Sequence, residues 1–142
     1  MQTPTHAAGA LLLRLTLGIT LFAHGLLKLV IFTPAGTAGY FASLGIPEVF
    51  AYLTIFGEVV GGAALMIGVY TRLAAIASLP ILIGATWVHA GNGWVFSSEG
   101  GGWEFPLMLV VLAITVALLG PGAAAVKRIP GLDLLIPTPL KD

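Results

Sequence analysis

Four apolar stretches alternate with short polar segments rich in glycine and proline, over residues 10–32, 49–70, 73–90 and 104–119. A helix needs about 20 apolar residues to cross the hydrocarbon of a bilayer, so the pattern predicts an all-α integral membrane protein, a four-transmembrane-helix bundle. The connection 33–47, TPAGTAGYFASLGIP, carries its own helix signals. Thr33 suits an N-cap, Pro34 a first helical turn and Gly45 a C-cap. With Tyr40, Phe41 and Leu44 at helical spacing, it predicts a short interfacial helix between spans one and two. Span two carries Gly57, Gly61, Ala64 and Gly68 at small-xxx-small spacing, which lets another helix approach closely and makes a homodimer one use of that face. Pro80 sits inside span three and predicts a kink. The connection 91–102 is glycine-rich and polar. Residues 120–142 read as a Pro-rich cytoplasmic tail, too broken for a fifth span. The whole of 1–142 reads as one membrane domain.

Composition sharpens this picture. The chain is 58% hydrophobic and only 8% charged, with a mean hydropathy of +1.03. A soluble domain carries about a quarter charged residues. Net charge is zero, so no global field draws nucleic acid. With no cysteine, thiol–disulfide chemistry, Fe–S clusters and thiolate zinc sites are excluded on these residues. No motif for a flavin or a metal is present. A signal peptide does not explain the first stretch: no Lys or Arg precedes it and the apolar run is too long. Arg72, Lys127 and Arg128 fall in or after connections on one side, which predicts both termini in the cytoplasm of an inner-membrane protein.

The chemistry lies in the ionisable residues within the spans. Arg14, His24 and Lys28 share one stripe of the first helix at about 100° per residue. Snorkelling suits Arg14 and Lys28, which lie near opposite ends of the span, but not His24, which is short and deeper. Glu58 is the deepest carboxylate; it either locks the bundle by pairing with a basic residue of span one or relays a proton. At about 1.5 Å per residue, His24 and Glu58 lie at similar depth, with Arg14 some 15 Å lower. His89 and Glu104 lie at the outer ends of spans three and four. Trp94 and Trp103 read as interfacial belt residues or as lids.

These positions predict an outward-opening polar pocket. His24, Lys28 and Glu58 are the candidate catalytic groups; Arg14, His89, Trp94, Trp103 and Glu104 are the candidate substrate-binding groups. A quinone suits such a pocket: histidine supplies a proton, a buried carboxylate relays it, and lysine steadies an oxyanion. Nothing here separates a quinone from another small amphiphile. Haem between His24 and His89 is disfavoured by an estimated depth difference of about 9–10 Å. A small-solute or proton transporter acting as an oligomer, and a non-catalytic anchor or scaffold for a soluble redox enzyme, remain alternatives.

The runs LRLTLGITLFAHGLLKL, YFASLGIP and FGEVVGGAALMIGVYTRLAA, the His ending span three and the GGWE opening span four together resemble the DoxX family of small four-helix membrane proteins. The resemblance covers roughly residues 11–122. It implies redox work beside the quinone pool, like that of the small subunit of a thiosulfate:quinone oxidoreductase, often with a partner subunit. By matching position it points to Arg14, His24, Gly25, Lys28, Glu58, Gly61, Gly62, Thr71 and Arg72, and to His89 and Glu104. The family's GxGxxSLD ending is replaced here by GPGAAAVKR.

Overall fold

A computed structural model describes residues 3–142. Helix α1, Pro4–Leu26, starts on Thr3, whose hydroxyl accepts the His6 N–H, and runs on into a π-helical turn, Leu27–Ile31. Helix α2, Pro34–Ser43, is the short helix expected between the first two spans. It begins on Thr33, whose hydroxyl accepts from the Gly36 amide. It ends at Gly45, in the left-handed region (φ 75°), with Gly45 N–H on Ala42 O and Ile46 N–H on Phe41 O. That pair of bonds satisfies two of the carbonyls a helix end leaves open, and only glycine adopts that backbone without strain.

Helix α3, Val49–Phe56, continues through a second π turn, Gly57–Gly61, into α4, Gly62–Ile67. Gly68, at φ 71°, closes α4, so the helix stops three residues short of the expected boundary and α5, Thr71–His89, begins two residues early. Helix α5 is continuous across Pro80 and ends in a 3-10 turn, Ala90–Asn92. Helix α6 is Glu104–Leu119. A last 3-10 turn, Thr138–Leu140, packs on α5. Three helical rods, Pro4–Ile31, Val49–Ile67 and Thr71–Asn92, are long and apolar enough to cross a membrane, and α6 is a shorter apolar helix. Among the described residues there is no strand, only an isolated bridge between Val69 and Lys127.

The rods alternate up and down, giving the bundle two ends. One end, the base, holds the start of α1, the α4–α5 turn and residues 120–142. The other holds α2 and the 90–103 connection. The core is Leu17, Leu21, Leu65, Ala75, Leu82, Leu109, Ala113 and Val116. Helix α1 meets the α3–α4 rod backbone to backbone: a methyl on Gly62 would fall 2.6 Å from Phe22 N, and one on Gly25 would fall 2.7 Å from the Val59 side chain. The small-residue stripe Gly57–Gly61–Ala64–Gly68 is approached at its two ends by other neighbours: a methyl on Gly57 would fall 2.5 Å from the Ile81 side chain of α5 and one on Gly68 2.6 Å from Ala125, whereas one on Gly61 would meet nothing. The face turned inward is Ala51, Ile55, Glu58, Gly62 and Leu65, alternating steps of four and three. Gly18, opposite Gly62, completes the contact and was not singled out from sequence. Its signal was present, since Gly18 and Gly25 are seven residues apart on the stripe that carries Arg14 and Leu21.

Candidate functional site

The close glycine contact brings the two π turns together. Lys28 lies in one and Glu58 in the other. The Lys28 ammonium donates to both carboxylate oxygens of Glu58, at 2.9 and 2.8 Å. Glu58 is 5% exposed. Taking a carboxylate out of water is costly unless it is paired and hydrogen-bonded, and this bidentate contact meets both conditions. π turns inside helices recur at functional sites because they re-aim side chains. Here both members of the ion pair are presented by such turns. Thr37 of α2 fixes the first of them from outside, its hydroxyl lying 2.9 Å from Thr33 O and 3.4 Å from Lys28 O.

The pair forms part of the wall of a cavity of about 710 Å³. The packing of the second rod onto α5 is made by Gly57–Gly61 and α4, which leaves a wedge between α3 and the outer half of α5. Small residues on α5, Ala77, Pro80, Gly84 and Ala85, create the room, and Phe41 of α2 and Leu44 just after it also line it. Its ionisable lining groups include His24, Lys28, Glu58 and His89, with Thr20, Tyr40 and Thr54 as further polar residues. Its rim residues Phe50, Phe56 and Trp87 are 50%, 65% and 65% exposed on the outer surface of the bundle. The size matches that of small-molecule and cofactor sites, which are mostly apolar with a few convergent polar groups.

Both histidines are fixed through the same ring atom. His24 Nδ1 lies 2.8 Å from Thr20 O, and His89 Nδ1 lies 2.9 Å from Gly101 O and 3.1 Å from Gly100 O. A carbonyl only accepts, so Nδ1 carries a proton in each, and in that neutral tautomer Nε2 is an acceptor. Among the described residues no protein group bonds either Nε2. The His24 ring also stacks on Phe105, centroids 6.2 Å apart. Asn92 donates to the same two carbonyls as His89, so the glycine-rich connection is folded around that ring.

The remaining expected residues are placed elsewhere. Arg14 does not reach the cavity and meets no carboxylate. It is fully buried at the base, where its guanidinium donates to the carbonyls of Leu65, Met66, Pro121, Ala123 and Ala124 at 2.6–3.1 Å. The reason is geometric: α4 ends there, and its last carbonyls need donors. Trp94 and Glu104 line a separate groove of about 410 Å³, with Leu13, Leu112 and Thr115, along α6. Trp103 packs edge-on against Trp94, centroids 4.5 Å apart, and lines neither hollow. His24 and Glu58 share the cavity but are not hydrogen-bonded to each other; the partner of Glu58 is Lys28, one turn further along, in the π turn that follows α1.

The helices and the buried ion pair define a small helical membrane protein. The DoxX family profile matches residues 9–91, and the chain belongs to the DoxX family. It is 34% identical over 112 residues to the Bacillus subtilis (strain 168) protein named "Putative oxidoreductase CatD", an alignment covering 79% of each chain. No solved structure matches. The matched residues include Arg14, His24, Lys28, Glu58 and His89, whereas Trp94, Trp103 and Glu104 lie beyond them.

Proposed function

We propose that this chain is the quinone-binding membrane subunit of an oxidoreductase complex, crossing the inner membrane four times with both termini in the cytoplasm. The observation that carries the reading is the Lys28–Glu58 pair in the wall of a mostly apolar cavity, with His24 and His89 in the same lining. A quinone head is flat and carries two carbonyls; its tail is apolar. Two of the three N–H groups of Lys28 go to Glu58, and the third is free to donate to a ligand oxygen. His24 Nε2 is free to accept from a quinol hydroxyl. Electrons reach the ring from a redox centre on a partner subunit, and each carbonyl oxygen reduced takes up one proton. Lys28–Glu58 and the histidines hold and exchange those protons within this chain. The kinship to an oxidoreductase-named relative agrees with that role.

Trp87 lies on the rim of the cavity, so its fluorescence reports occupancy. In nanodiscs, a short-chain quinone should quench Trp87 saturably. His24→Phe and Glu58→Gln should each weaken binding about tenfold, a loss of about 1.4 kcal/mol. Quenching that survives Trp87→Phe undiminished, or that neither variant alters, overturns the reading.

A further inference from the structure

Residues 126–135, VKRIPGLDLL, sit at the base and are held there on their polar side. Lys127 exchanges backbone bonds with Gly68 and Tyr70. The Tyr70 hydroxyl donates to Asp133 at 2.7 Å and accepts from the Ile129 amide at 3.3 Å. Asp133 therefore points inward, while the leucines beside it point out. Leu134 is 92% exposed, Leu135 77%, Val126 62%, Leu132 44% and Ile129 39%. A segment facing water has the opposite arrangement, with its carboxylate out and its leucines in. A contiguous exposed apolar patch of this kind marks a surface that something covers.

The surroundings say what covers it. The segment bridges to the turn between two membrane-crossing rods, Ile67 and Thr71 being the neighbouring helix ends, so it lies at the level where lipid meets water. Lys127 and Arg128 are exposed within the patch. The nearby carboxylates are already engaged: Asp133 by Tyr70 and Arg128, and Asp142 by the amides of Thr71 and Arg72. Arg128 is itself turned to Asp133 (3.9 Å) and to Asp142 O (2.9 Å), so the outward face is apolar with the Lys127 cation beside it, which is the chemistry that binds an anionic lipid surface. We infer that residues 126–135 form a monotopic anchor, with Leu132, Leu134 and Leu135 inserted into the headgroup–acyl boundary of the leaflet at the base and Lys127 among its anionic headgroups. The inference rests on the chain being a membrane protein and does not depend on the quinone reading.

Because the chain has no cysteine, Leu134→Cys gives a single labelling site, and its near-complete exposure means that the substitution removes no packing. An environment-sensitive fluorophore placed there is read in nanodiscs containing phosphatidylglycerol. The expected result is a blue-shifted emission, quenching by nitroxides on the lipid chains and loss of quenching by aqueous iodide. Glu99→Cys, on the exposed 91–103 connection, should show the reverse and serves as the water-accessible reference. In purely zwitterionic nanodiscs the Leu134 label should sit shallower, and Lys127→Glu should have the same effect in anionic ones. An iodide-accessible, unshifted label in anionic nanodiscs overturns the anchor. So does shielding that develops only when a soluble partner protein is added, and a depth indifferent to lipid charge overturns the headgroup pairing.

Discussion

Arg14 and Lys28 are two cations on one helix, four turns apart, both drawn into the bundle, and they are neutralised in different ways. Arg14 is completely enclosed and directs its guanidinium at five backbone carbonyls. Lys28 is part-exposed to a cavity and directs its ammonium at one carboxylate. Carbonyl dipoles at a helix end cannot change charge, so the base is fixed chemically as well as mechanically. A carboxylate can take up a proton, so the Lys28–Glu58 end can exist in more than one charge state. The comparison separates a cation held by fixed dipoles from one held by a titratable partner, although sequence position alone makes them look alike. Arg is suited to the first task because its planar fork reaches several acceptors at once, and Lys to the second because its proton is the more easily lost.

Breaking the base should have the larger effect. Arg14→Met strands several buried carbonyls at about 1 kcal/mol or more each, so a loss on the order of 4 kcal/mol is expected, read as a lower Tm in detergent. Arg14→Lys should recover only part of it. At the other end, Glu58→Ala leaves Lys28 without its anion. The cost should reach about 3 kcal/mol, below that of a fully enclosed pair because Lys28 can turn to the cavity. The double variant Lys28→Met/Glu58→Leu should restore most of the Tm while quinone binding stays absent, and a restored Tm with intact binding would remove the pair from the site. Gly62→Ala forces α1 and α4 apart and should cost about 1–3 kcal/mol by overpacking, weakening quinone binding as the ion pair is pulled open. His24→Phe should leave Tm within about 0.5 kcal/mol of the parent, separating binding from folding most cleanly.

The smallest effect sharpens the base. Burial, and then the bond to Asp133, hold the Tyr70 phenol above its ordinary pKa. The stabilisation from the protonated phenol is therefore fully present below the unfolded value of about 10 and is lost as pH rises through the higher folded value. Tyr70→Phe should abolish that alkaline step in a Tm-against-pH series while leaving neutral-pH quinone binding unchanged.

Much of this architecture is legible in the sequence, and what is not shares one cause. Periodicity and caps locate the helices, and α2 with Thr33, Pro34 and Gly45 is found essentially complete. Depth follows from the rise per residue, so His24, Lys28 and Glu58 are correctly placed at one end. Rotation about the helix axis does not follow. Glu104 and Trp94 lie at the right height but face the α6 groove. On the second rod, small residues lie on two faces, and composition does not say that Gly62 meets α1 while Gly57 meets α5. The two π turns depend on how the rods pack and leave no mark in local propensity, although they carry both members of the ion pair. Arg14 was read by its charge, whereas the open carbonyls at the end of α4 and in residues 121–124 decided its partners.

The wedge between α3 and α5 carries a kinetic consequence. Its rim of Phe50, Phe56 and Trp87 looks sideways, toward acyl chains rather than toward the aqueous phase. A hydrophobic ligand dissolved in the bilayer would therefore arrive by two-dimensional diffusion, already enriched many-fold by partitioning. Saturation would be governed by its mole fraction in lipid, so a loose grip would keep the chamber filled while its occupant still exchanges quickly.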